Sequence, residues 1–508
     1  MKESAASFTV RKIKPLVNIF ILAIIITIFI PSCRGRTSEE KEIAGLRYGF
    51  TTEPMTLDPL NPSNTADGRS ILFNVFEGLV KPDTEGTLQP CIAVSWTIDE
   101  DALIYNFKLR ENVRFHDGSL LTAADVKYSL DEAARSGYQG LNNIRETVIQ
   151  NQDEISVTLK SPDPEFLPYL TVGIVKAANV TREKDIIGTG PFYIESYTPQ
   201  RNLVMRKHDN YWQENLPRLE KVTTVFFANS DTMMVALRGG GIDGASITGS
   251  MAAQLDSGNF NVIDNRSAGV QLLALNNGVY PLNDINVRRA INYGIDIQEI
   301  IDTAFFGKGV PSASPLIPGL SVYYDNSNTY SYNPNAAKTL LAQSGFNESN
   351  KMPLVITVPS SYTMHVDTAQ VIVSQLEKIW INASIVLVDW STWVSQVYSE
   401  RQYEATIISL DSTSVSPRGF LDRYHSGHGR NFINFNNASY DAVYSAALAE
   451  TDRQKRVSLY KEAQRIITDN AASVYIQDIL YFIALRGFDG ALDYPLYAID
   501  FSTIYRKE

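Results

Sequence analysis

The clearest pattern of apolar and polar positions lies in residues 86–130, GTLQPCIAVSWTIDEDALIYNFKLRENVRFHDGSLLTAADVKYSL. From residue 103 to 110 every second side chain is apolar, which predicts a strand with one buried face. Asp117-Gly118 predicts a turn, because glycine readily takes the positive φ that a reversal needs. Thr122, with Asp125 three residues later, predicts the capped start of a helix. This strand, turn and helix contain nothing that points to catalysis.

Elsewhere in the first half of the chain, short apolar runs predict more strands than helices. The predicted strands lie at 46–50, 155–159, 203–206 and 222–227. Apolar residues at 71, 72, 75, 76 and 79 form one helical face, which predicts a helix over 70–79. A shorter helix is predicted over 231–237.

From residue 271 onward, the predicted strands alternate with helices. Strands are expected at 271–276, 354–358, 384–388 and 474–485, and helices at 284–304, 334–344, 366–380 and 453–467. Asn333-Pro334 and Asp452 have the residue types that begin helices, and Gly345 ends one. Such alternation predicts a mixed α/β unit with a partly parallel sheet.

The N-terminus has the pattern of a targeting segment. Basic residues precede an apolar run at 16–30, which ends in Ile30-Pro31-Ser32-Cys33. This ending resembles a bacterial lipobox, with Cys33 as the lipidated first residue of the mature protein. The run of about 15 apolar residues is shorter than the roughly 20 that span a bilayer. An uncleaved signal anchor is the alternative, and both place a tethered body outside the cytoplasm.

Composition narrows the class of protein further. The 508 residues exceed what one hydrophobic core usually serves, so two or three compact units are expected. The content of 44% hydrophobic and 20% charged residues indicates a globular chain. A formal net charge of −11 argues against nucleic-acid binding. If Cys33 is acylated, Cys91 has no partner for an intrachain disulfide, and its apolar surroundings predict a small buried side chain.

Several motifs occur together in an order that resembles one known family. The order LQP, A-x-SW, YxFxLRxxVxFHDG and LTAxDVxYSL in residues 88–130 is similar to the bacterial extracellular solute-binding proteins of family 5, which serve ABC importers of peptides, nickel and related solutes. Further matching motifs follow in order: GTGP at 188–191, NYW at 210–212, VRRAINYGID at 287–296 and YNPNAAKTLLAQSGF at 332–346. The resemblance runs from about residue 46 to the C-terminus.

The resemblance implies an α/β, two-lobed periplasmic-binding-protein-like fold of type II, with a small domain inserted in the first lobe. The implied boundaries are a lipoprotein signal peptide at 1–32, a tether at 33–45, lobe I at 46–70, 188–274 and 475–508, the inserted small domain at 71–187, and lobe II at 275–474.

The implied function is capture of an oligopeptide or similar polar solute in a cleft between the lobes, followed by delivery to an ABC permease and its ATPase. The protein is expected to be a monomer, held at the membrane by its N-terminal lipid, without cofactor, bound metal or enzymatic activity. Alternatives are a metal chelate or oligosaccharide as ligand, a signalling or adhesion module, and an exported hydrolase. His425 and His428 are spaced as a polar loop rather than a metal site, and no common catalytic motif occurs.

The resemblance also nominates ligand-binding residues. In the family, the E-P-x-x-L-D-P stretch lines the cleft, so Glu53 and Met55 are expected to contact ligand, although a loop covering a sheet edge is equally compatible with the sequence. The family position that matches Trp390 lines the pocket. Trp393 is a second candidate, with a core residue on a helix face as the favoured alternative.

One further family feature departs from the peptide-binding pattern. Peptide binders carry a tryptophan and then an aspartate that pairs with the peptide's α-ammonium group. Counting back from Pro417, Leu410 falls at the tryptophan and Thr413 at the aspartate. Asp411 replaces that aspartate only if the loop is shifted by two residues. Peptide specificity is therefore open.

Overall fold

The computed structural model describes residues 45–62, 64–84, 86–178, 185–327, 330–412, 416–492, 494 and 499–507. Its strands are β1 (Leu46–Phe50), β2 (Val80–Pro82), β3 (Leu88–Pro90), β4 (Ala93–Ile98), β5 (Ile104–Leu109), β6 (Ile144–Ile149), β7 (Glu154–Leu159), β8 (Phe192–Thr198), β9 (Asn202–Lys207), β10 (Lys221–Phe226), β11 (Gly244–Thr248), β12 (Asn261–Leu275), β13 (Val310–Pro311), β14 (Met352–Pro359), β15 (Ile381–Val388), β16 (Ala405–Asp411), β17 (Ser473–Leu485), β18 (Phe488–Asp489) and β19 (Tyr505–Arg506).

The α-helices are α1 (Ala66–Leu72), α2 (Ala123–Arg135), α3 (Ser230–Gly239), α4 (Gly249–Ala252), α5 (Ile285–Gly294), α6 (Ile297–Ala304), α7 (Pro334–Gln343), α8 (Thr363–Glu377), α9 (Trp390–Thr392), α10 (Arg418–Leu421), α11 (Ala438–Ala449) and α12 (Arg453–Asp469). Short 3₁₀ segments occur at Leu141–Asn143, Leu167–Thr171 and Asp422–Tyr424, and Trp393–Ser399 is π-helical. Within the ranges given above, no helix combines the length and apolar character that crossing a membrane requires.

Two long strands, β12 and β17, join the two halves of an eleven-stranded sheet. The strand order is β15-β14-β16-β12-β17-β11-β1-β10-β9-β8, and β13 pairs with β17 beside this path. The register of β12 against β17 shifts between Arg266 and Val270. Before the shift, β17 also pairs with β11, whereas β12 pairs with β16 after it. We call the half with β1 and β8–β11 lobe I and the half with β14–β16 lobe II.

In lobe II, strand β12 is buried on both faces of the sheet. Strand β14 runs parallel to both β15 and β16, which confirms the predicted partly parallel sheet. On β12, Leu272 and Ala274 enter the core on one side of the sheet, while Leu273 and Leu275 enter the core on the other. This period-two division is why the strand is apolar at nearly every position.

The stretch at 86–130 forms the predicted strand, turn and helix. Strand β5 belongs to a separate four-stranded antiparallel sheet, β4-β5-β7-β6, and its alternate residues Tyr105 and Phe107 are buried. Gly118 has φ +84° in the turn. The Asp125 carboxylate accepts hydrogen bonds from the Thr122 N–H (2.8 Å) and hydroxyl (2.6 Å). The predicted helix start is therefore confirmed.

Cys91 is buried, as predicted, and lies against a buried carboxylate. Its Sγ is 3.6 Å from Glu77 Oε1. Glu77 also accepts hydrogen bonds from the Tyr211 hydroxyl at 2.8 Å and the Thr189 hydroxyl at 2.9 Å. Burial raises the pKa of Glu77, and these donors partly oppose the rise. The tyrosine of the NYW motif thus donates a hydrogen bond to a buried carboxylate in the core of lobe I.

The helix predicted over 70–79 was wrong in its extent, because α1 ends at Leu72. The backbone beyond it pairs with residues distant in sequence instead. Phe192 N donates to Asn74 O at 3.1 Å, and Gly190 N donates to Val75 O at 3.0 Å. The Asn74 side chain also donates to Ile499 O and accepts from Phe501 N, each at 2.8 Å. These tertiary hydrogen bonds replace the helical ones.

The single helix predicted over 284–304 was also wrong, because the segment forms α5 and α6. Asp296 begins the second helix by accepting hydrogen bonds from the N–H groups of Gln298 and Glu299, at 3.0 and 3.2 Å. A side-chain carbon at Gly294 would lie 2.2 Å from Ile379. The Asp296 cap therefore starts a new helix. Gly294, at the end of α5, allows close packing against Ile379 in the segment that follows α8.

Candidate functional site

Three parallel strands of lobe II end at one edge of the sheet, and candidate ligand-binding side chains follow them. Tyr362 comes after β14, Trp390 comes after β15, and Asp411 is the last residue of β16. In open α/β sheets, ligands bind outside the carboxyl ends of the strands, where loops diverge. Lobe II therefore assembles an aromatic and acidic edge from segments that are about 20 to 30 residues apart in the sequence.

Two tryptophans at this edge have different environments. The rings of Trp390 and Trp393 are stacked, with centroids 5.1 Å apart and an interplanar angle of 6°. Trp393 is buried and donates its Nε1–H to the Thr406 hydroxyl at 3.0 Å. Trp390 is 45% exposed and meets Tyr362 edge-on at 5.5 Å. Trp393 thus supports the ring of Trp390, which presents its surface to solvent.

The remaining candidates of lobe II lie at the end of β16 and differ in their exposure to solvent. Leu410 pairs with Val270 and packs in the core. The Asp411 carboxylate is half exposed, and its Oδ1 lies 3.9 Å from Arg423 Nη2. Burial raises the pKa of Tyr362, and the charge of Asp411 raises it further. Thr413 lies outside the described residues.

The Glu53 to Met55 segment of lobe I is held by other parts of lobe I. The Glu53 carboxylate accepts hydrogen bonds from the Tyr197 hydroxyl at 2.9 Å and from Gln200 N at 2.8 Å. The Met55 N–H donates to Asn64 Oδ1 at 3.2 Å. The side chain of Met55 is 71% exposed. Met55 is therefore available through its side chain, while its N–H already has an acceptor.

A second carboxylate, Asp67, was missed by sequence reasoning because it belongs to no motif that we considered. Asp67 Oδ2 accepts hydrogen bonds from the Thr52 N–H (3.0 Å) and hydroxyl (2.6 Å). Burial raises the pKa of Asp67. Burial also raises the pKa of Tyr481 to about 12, with further contributions from Asp67 and Tyr362. Tyr481 lies on the joining strand β17, opposite Thr248 of β11.

The described residues contain no cluster of three or more His, Cys, Asp or Glu side chains that could hold a metal ion. His425 Nε2 lies 4.0 Å from Asp441 Oδ1, and His428 Nε2 lies 4.0 Å from Asp422 Oδ2. The two histidines thus face different carboxylates rather than one common centre.

Comparison with known proteins agrees with this architecture. Glutathione-binding protein GsiB of Salmonella typhi is 28% identical over 440 residues, covering 81% of this chain and 84% of the relative. Oligopeptide-binding protein OppA of Bacillus subtilis is 23% identical over 507 residues, covering 89% and 92%. The crystal structure of the ABC transporter substrate-binding protein CtaP from Listeria monocytogenes superposes with a TM-score of 0.83 at 22% identity, covering 92% of this chain and 99% of CtaP.

The structural match confirms the predicted α/β fold of the type II periplasmic binding proteins. The domain boundaries drawn from the sequence stay predictions. The family model for bacterial extracellular solute-binding proteins, family 5, matches residues 87–432, which is more than half of the chain. The relatives GsiB and OppA are binding proteins, and CtaP is a substrate-binding protein of an ABC transporter. The chain belongs to the bacterial extracellular solute-binding proteins of family 5.

Proposed function

We propose that this protein is an extracytoplasmic lipoprotein, without enzymatic activity, that captures an oligopeptide or a similar polar solute between its lobes and delivers it to a membrane permease. The observation that carries the proposal is the edge formed by Tyr362, Trp390 and Asp411 at the carboxyl ends of three parallel strands. Its position beside the two joining strands β12 and β17 favours a ligand that both lobes contact.

The side chains at this edge favour a ligand with a cationic group. Asp411 supplies a half-exposed carboxylate, and Asp67 supplies a second one from lobe I. The exposed faces of Trp390 and Tyr362 attract cations through their ring quadrupoles. A free amino group, such as that of a peptide, satisfies both kinds of partner. Asp411 and Asp67 would then take the role of the aspartate that the family pattern places at Thr413.

Native mass spectrometry of gently purified full-length protein tests this ligand class. We expect a co-purified solute that dissociates on unfolding and carries at least one amino group. A mixture of peptides would identify a peptide binder. A single neutral oligosaccharide, or a chelate that lacks an amino group, would overturn the assignment of a cationic ligand.

The role of Trp390 provides a second test. Trp390→Ala is expected to weaken binding of the identified solute by at least about tenfold, because an aromatic contact at the centre of a binding site contributes more than about 1.4 kcal/mol. Calorimetric titration measures the affinity. Tyr332→Ala is a matched control, since Tyr332 is a similarly exposed aromatic residue that precedes α7 instead of following a strand of this edge. Equal affinities of the two variants would refute a ligand contact at Trp390.

The lipid anchor requires its own measurement, because Cys33 and residues 1–32 lie outside the described residues. We expect the mature protein to begin at Cys33 and to carry a diacylglyceryl group. The mass of the N-terminal peptide, obtained from the membrane fraction, tests this directly. A peptide that retains residues 1–32 would instead support the uncleaved signal anchor.

A further inference from the structure

We call the part of the chain that contains the four-stranded sheet β4-β5-β7-β6 the small-sheet region. A cavity of about 660 Å³ lies between this region and lobe II, away from the aromatic edge. One wall comes from the end of the α2 segment and from the loop after β7. The other wall comes from α10, the loop that follows it, and the C-terminal end of α11. None of Met55, Tyr362, Trp390 or Asp411 lines it. Polar lining residues include Asn142, Asp163, Arg418, Asp422, His428 and Arg430.

Two guanidinium groups line this cavity, and they differ in the partners that the described residues give them. The Arg430 side chain makes no hydrogen bond or ion pair with any residue in the described part of the chain; its backbone N–H donates to His428 Nδ1 at 3.2 Å. Arg418 donates through Nη1 to Asp163 Oδ2 at 2.5 Å, and its buried Nε has no acceptor among the described residues. Arg430 therefore supplies a cationic group whose donors are available.

The neighbouring neutral groups can add further hydrogen-bond donors. Because His428 Nδ1 accepts the N–H of Arg430, the neutral ring carries its proton on Nε2. That atom is 4.0 Å from Asp422 Oδ2, which is too far for a hydrogen bond. On the opposite wall, the exposed Asn142 carboxamide makes no hydrogen bond within the described ranges.

Both carboxylates that line the cavity accept hydrogen bonds, Asp163 through both oxygens and Asp422 through one. Asp163 Oδ1 accepts the N–H of Glu165 at 3.1 Å, and its Oδ2 accepts from Arg418. Asp422 Oδ1 accepts the Tyr444 hydroxyl at 2.5 Å. Asp422 keeps its negative charge in the cavity, with Oδ2 4.0 Å from His428 Nε2. Within the described residues Arg430 makes no ion pair, so its donors are available to an anion. Such a set recognises acceptor-rich anions, because guanidinium groups bind carboxylate and phosphate oxygens with charge-assisted hydrogen bonds.

We propose that this cavity is a second binding site, distinct from the cleft, for a small solute that carries a carboxylate or phosphate group. Arg430 is its principal charged contact, and His428 and Asn142 donate further hydrogen bonds. The two walls belong to segments more than 250 residues apart, as the Asp163 to Arg418 pair shows. An oxyanion bound between them would hold the small-sheet region against lobe II.

Isothermal titration calorimetry on the full-length protein tests the proposal, with inorganic phosphate and citrate as probes in chloride buffer of constant ionic strength. We expect saturable binding of at least one probe. Arg430→Gln should weaken it by about tenfold or more, the usual contribution of one charge-assisted hydrogen bond. Arg145→Gln is the matched control, because it removes the same charge from an exposed arginine on β6. Preference for citrate or for phosphate would distinguish a carboxylate ligand from a phosphate ligand.

Asn142→Asp provides an independent variant, because an added negative charge on an exposed, unbonded side chain should reduce anion binding without disturbing the fold. The proposal is overturned if neither probe binds, or if Arg430→Gln and Arg145→Gln bind equally well. It is also overturned if binding is lost in Trp390→Ala and retained in Arg430→Gln, since the anion would then occupy the cleft.

Discussion

Buried carboxylates receive hydrogen bonds both in the stretch at 86–130 and in the segment that contains Asp163 and Glu165. The donors are mostly close in sequence in the first region and mostly distant in the second. In the first, Asp125 binds Thr122, three residues before it. In the second, Glu165 accepts the Nε–H of Arg456, 291 residues later, at 2.8 Å, and the Tyr323 hydroxyl at 3.3 Å. The first arrangement centres on a four-residue pattern, to which the Ala177 N–H adds one distant donor, whereas the second exists only after folding.

The two arrangements also differ in energy. A capping interaction on a helix N-terminus contributes about 1 kcal/mol. Removing one partner of a buried ion pair costs about 3–5 kcal/mol, because the other charge stays in a poorly solvated site. Glu165 and Arg456 are both more than 90% buried at their side chains. The region without a sequence signature should therefore be the more sensitive to substitution.

The largest effect is expected from Arg456→Met. Burial raises the pKa of Glu165, and Arg456 provides the main opposing interaction. Without the guanidinium, the carboxylate must remain charged in a desolvated site or take up a proton. We expect a loss of about 3 kcal/mol in the free energy of unfolding near pH 7. Urea denaturation followed by circular dichroism measures it.

A double variant separates the ion pair from simple loss of packing. Arg456→Met combined with Glu165→Gln removes both charges and keeps the approximate side-chain volumes. It should recover a large part of the stability lost in the single variant. If the double variant is no more stable than Arg456→Met alone, the cost belongs to packing and the energetic contrast between the two regions fails.

A pH effect of intermediate size is expected at His365, another long-range contact. Its Nδ1 accepts from the Gln271 side chain at 3.0 Å. Burial lowers the pKa of His365 from 6.5 to about 4. Between these values the unfolded chain binds a proton that the folded protein does not, so stability falls as the pH decreases from about 6.5 to 4. The loss from pH 7 to pH 5 should be about 1–2 kcal/mol.

His365→Gln tests that assignment through the slope of stability against pH. The variant should lose less stability than the unmodified protein between pH 7 and pH 5, measured by urea denaturation at each pH. The slope should decrease rather than vanish, because burial also lowers the pKa of His116 to about 3, with a smaller contribution from His208. An unchanged slope would mean that His365 does not titrate as its burial implies.

The smallest effect is expected from Asp125→Ala, in the locally encoded region. The substitution removes the carboxylate that binds Thr122 and that also accepts the Ala177 N–H at 2.8 Å. We expect a destabilisation of about 1 kcal/mol. Asp101→Ala, at an exposed turn residue, is the control and should change stability by less than about 0.5 kcal/mol. A cost for Asp125→Ala as large as that for Arg456→Met would break the comparison.

Local patterns predicted much of the secondary structure. The strand at 46–50 has the predicted bounds, and Asn333 begins α7 as expected, accepting the Ala336 N–H at 3.0 Å. These features depend on side chains only a few residues apart, so a short window contains their physical cause. The order of such windows was also sufficient to identify the family.

The candidate site was less accessible to sequence reasoning. The resemblance nominated Trp390 and Trp393, but their different exposures follow from the contact of Trp393 with Thr406. No sequence pattern marked Asp67 and Tyr481 as candidate site residues, because their relevance to the site depends on which strands meet between the lobes. The ligand roles of all seven nominated residues stay predictions: Glu53, Met55, Trp390, Trp393, Leu410, Asp411 and Thr413.

By itself, the sequence determined the caps, the alternating strands and the family of this protein, because each depends on residue order over short distances. Only the tertiary structure decided that α1 ends at Leu72, that Glu165 meets Arg456, and that Tyr362, Trp390 and Asp411 share one edge of a sheet. These outcomes depend on hydrogen bonds, desolvation and packing between distant segments. These interactions form only when the chain is folded, so a local pattern such as the one at 86–130 cannot predict them.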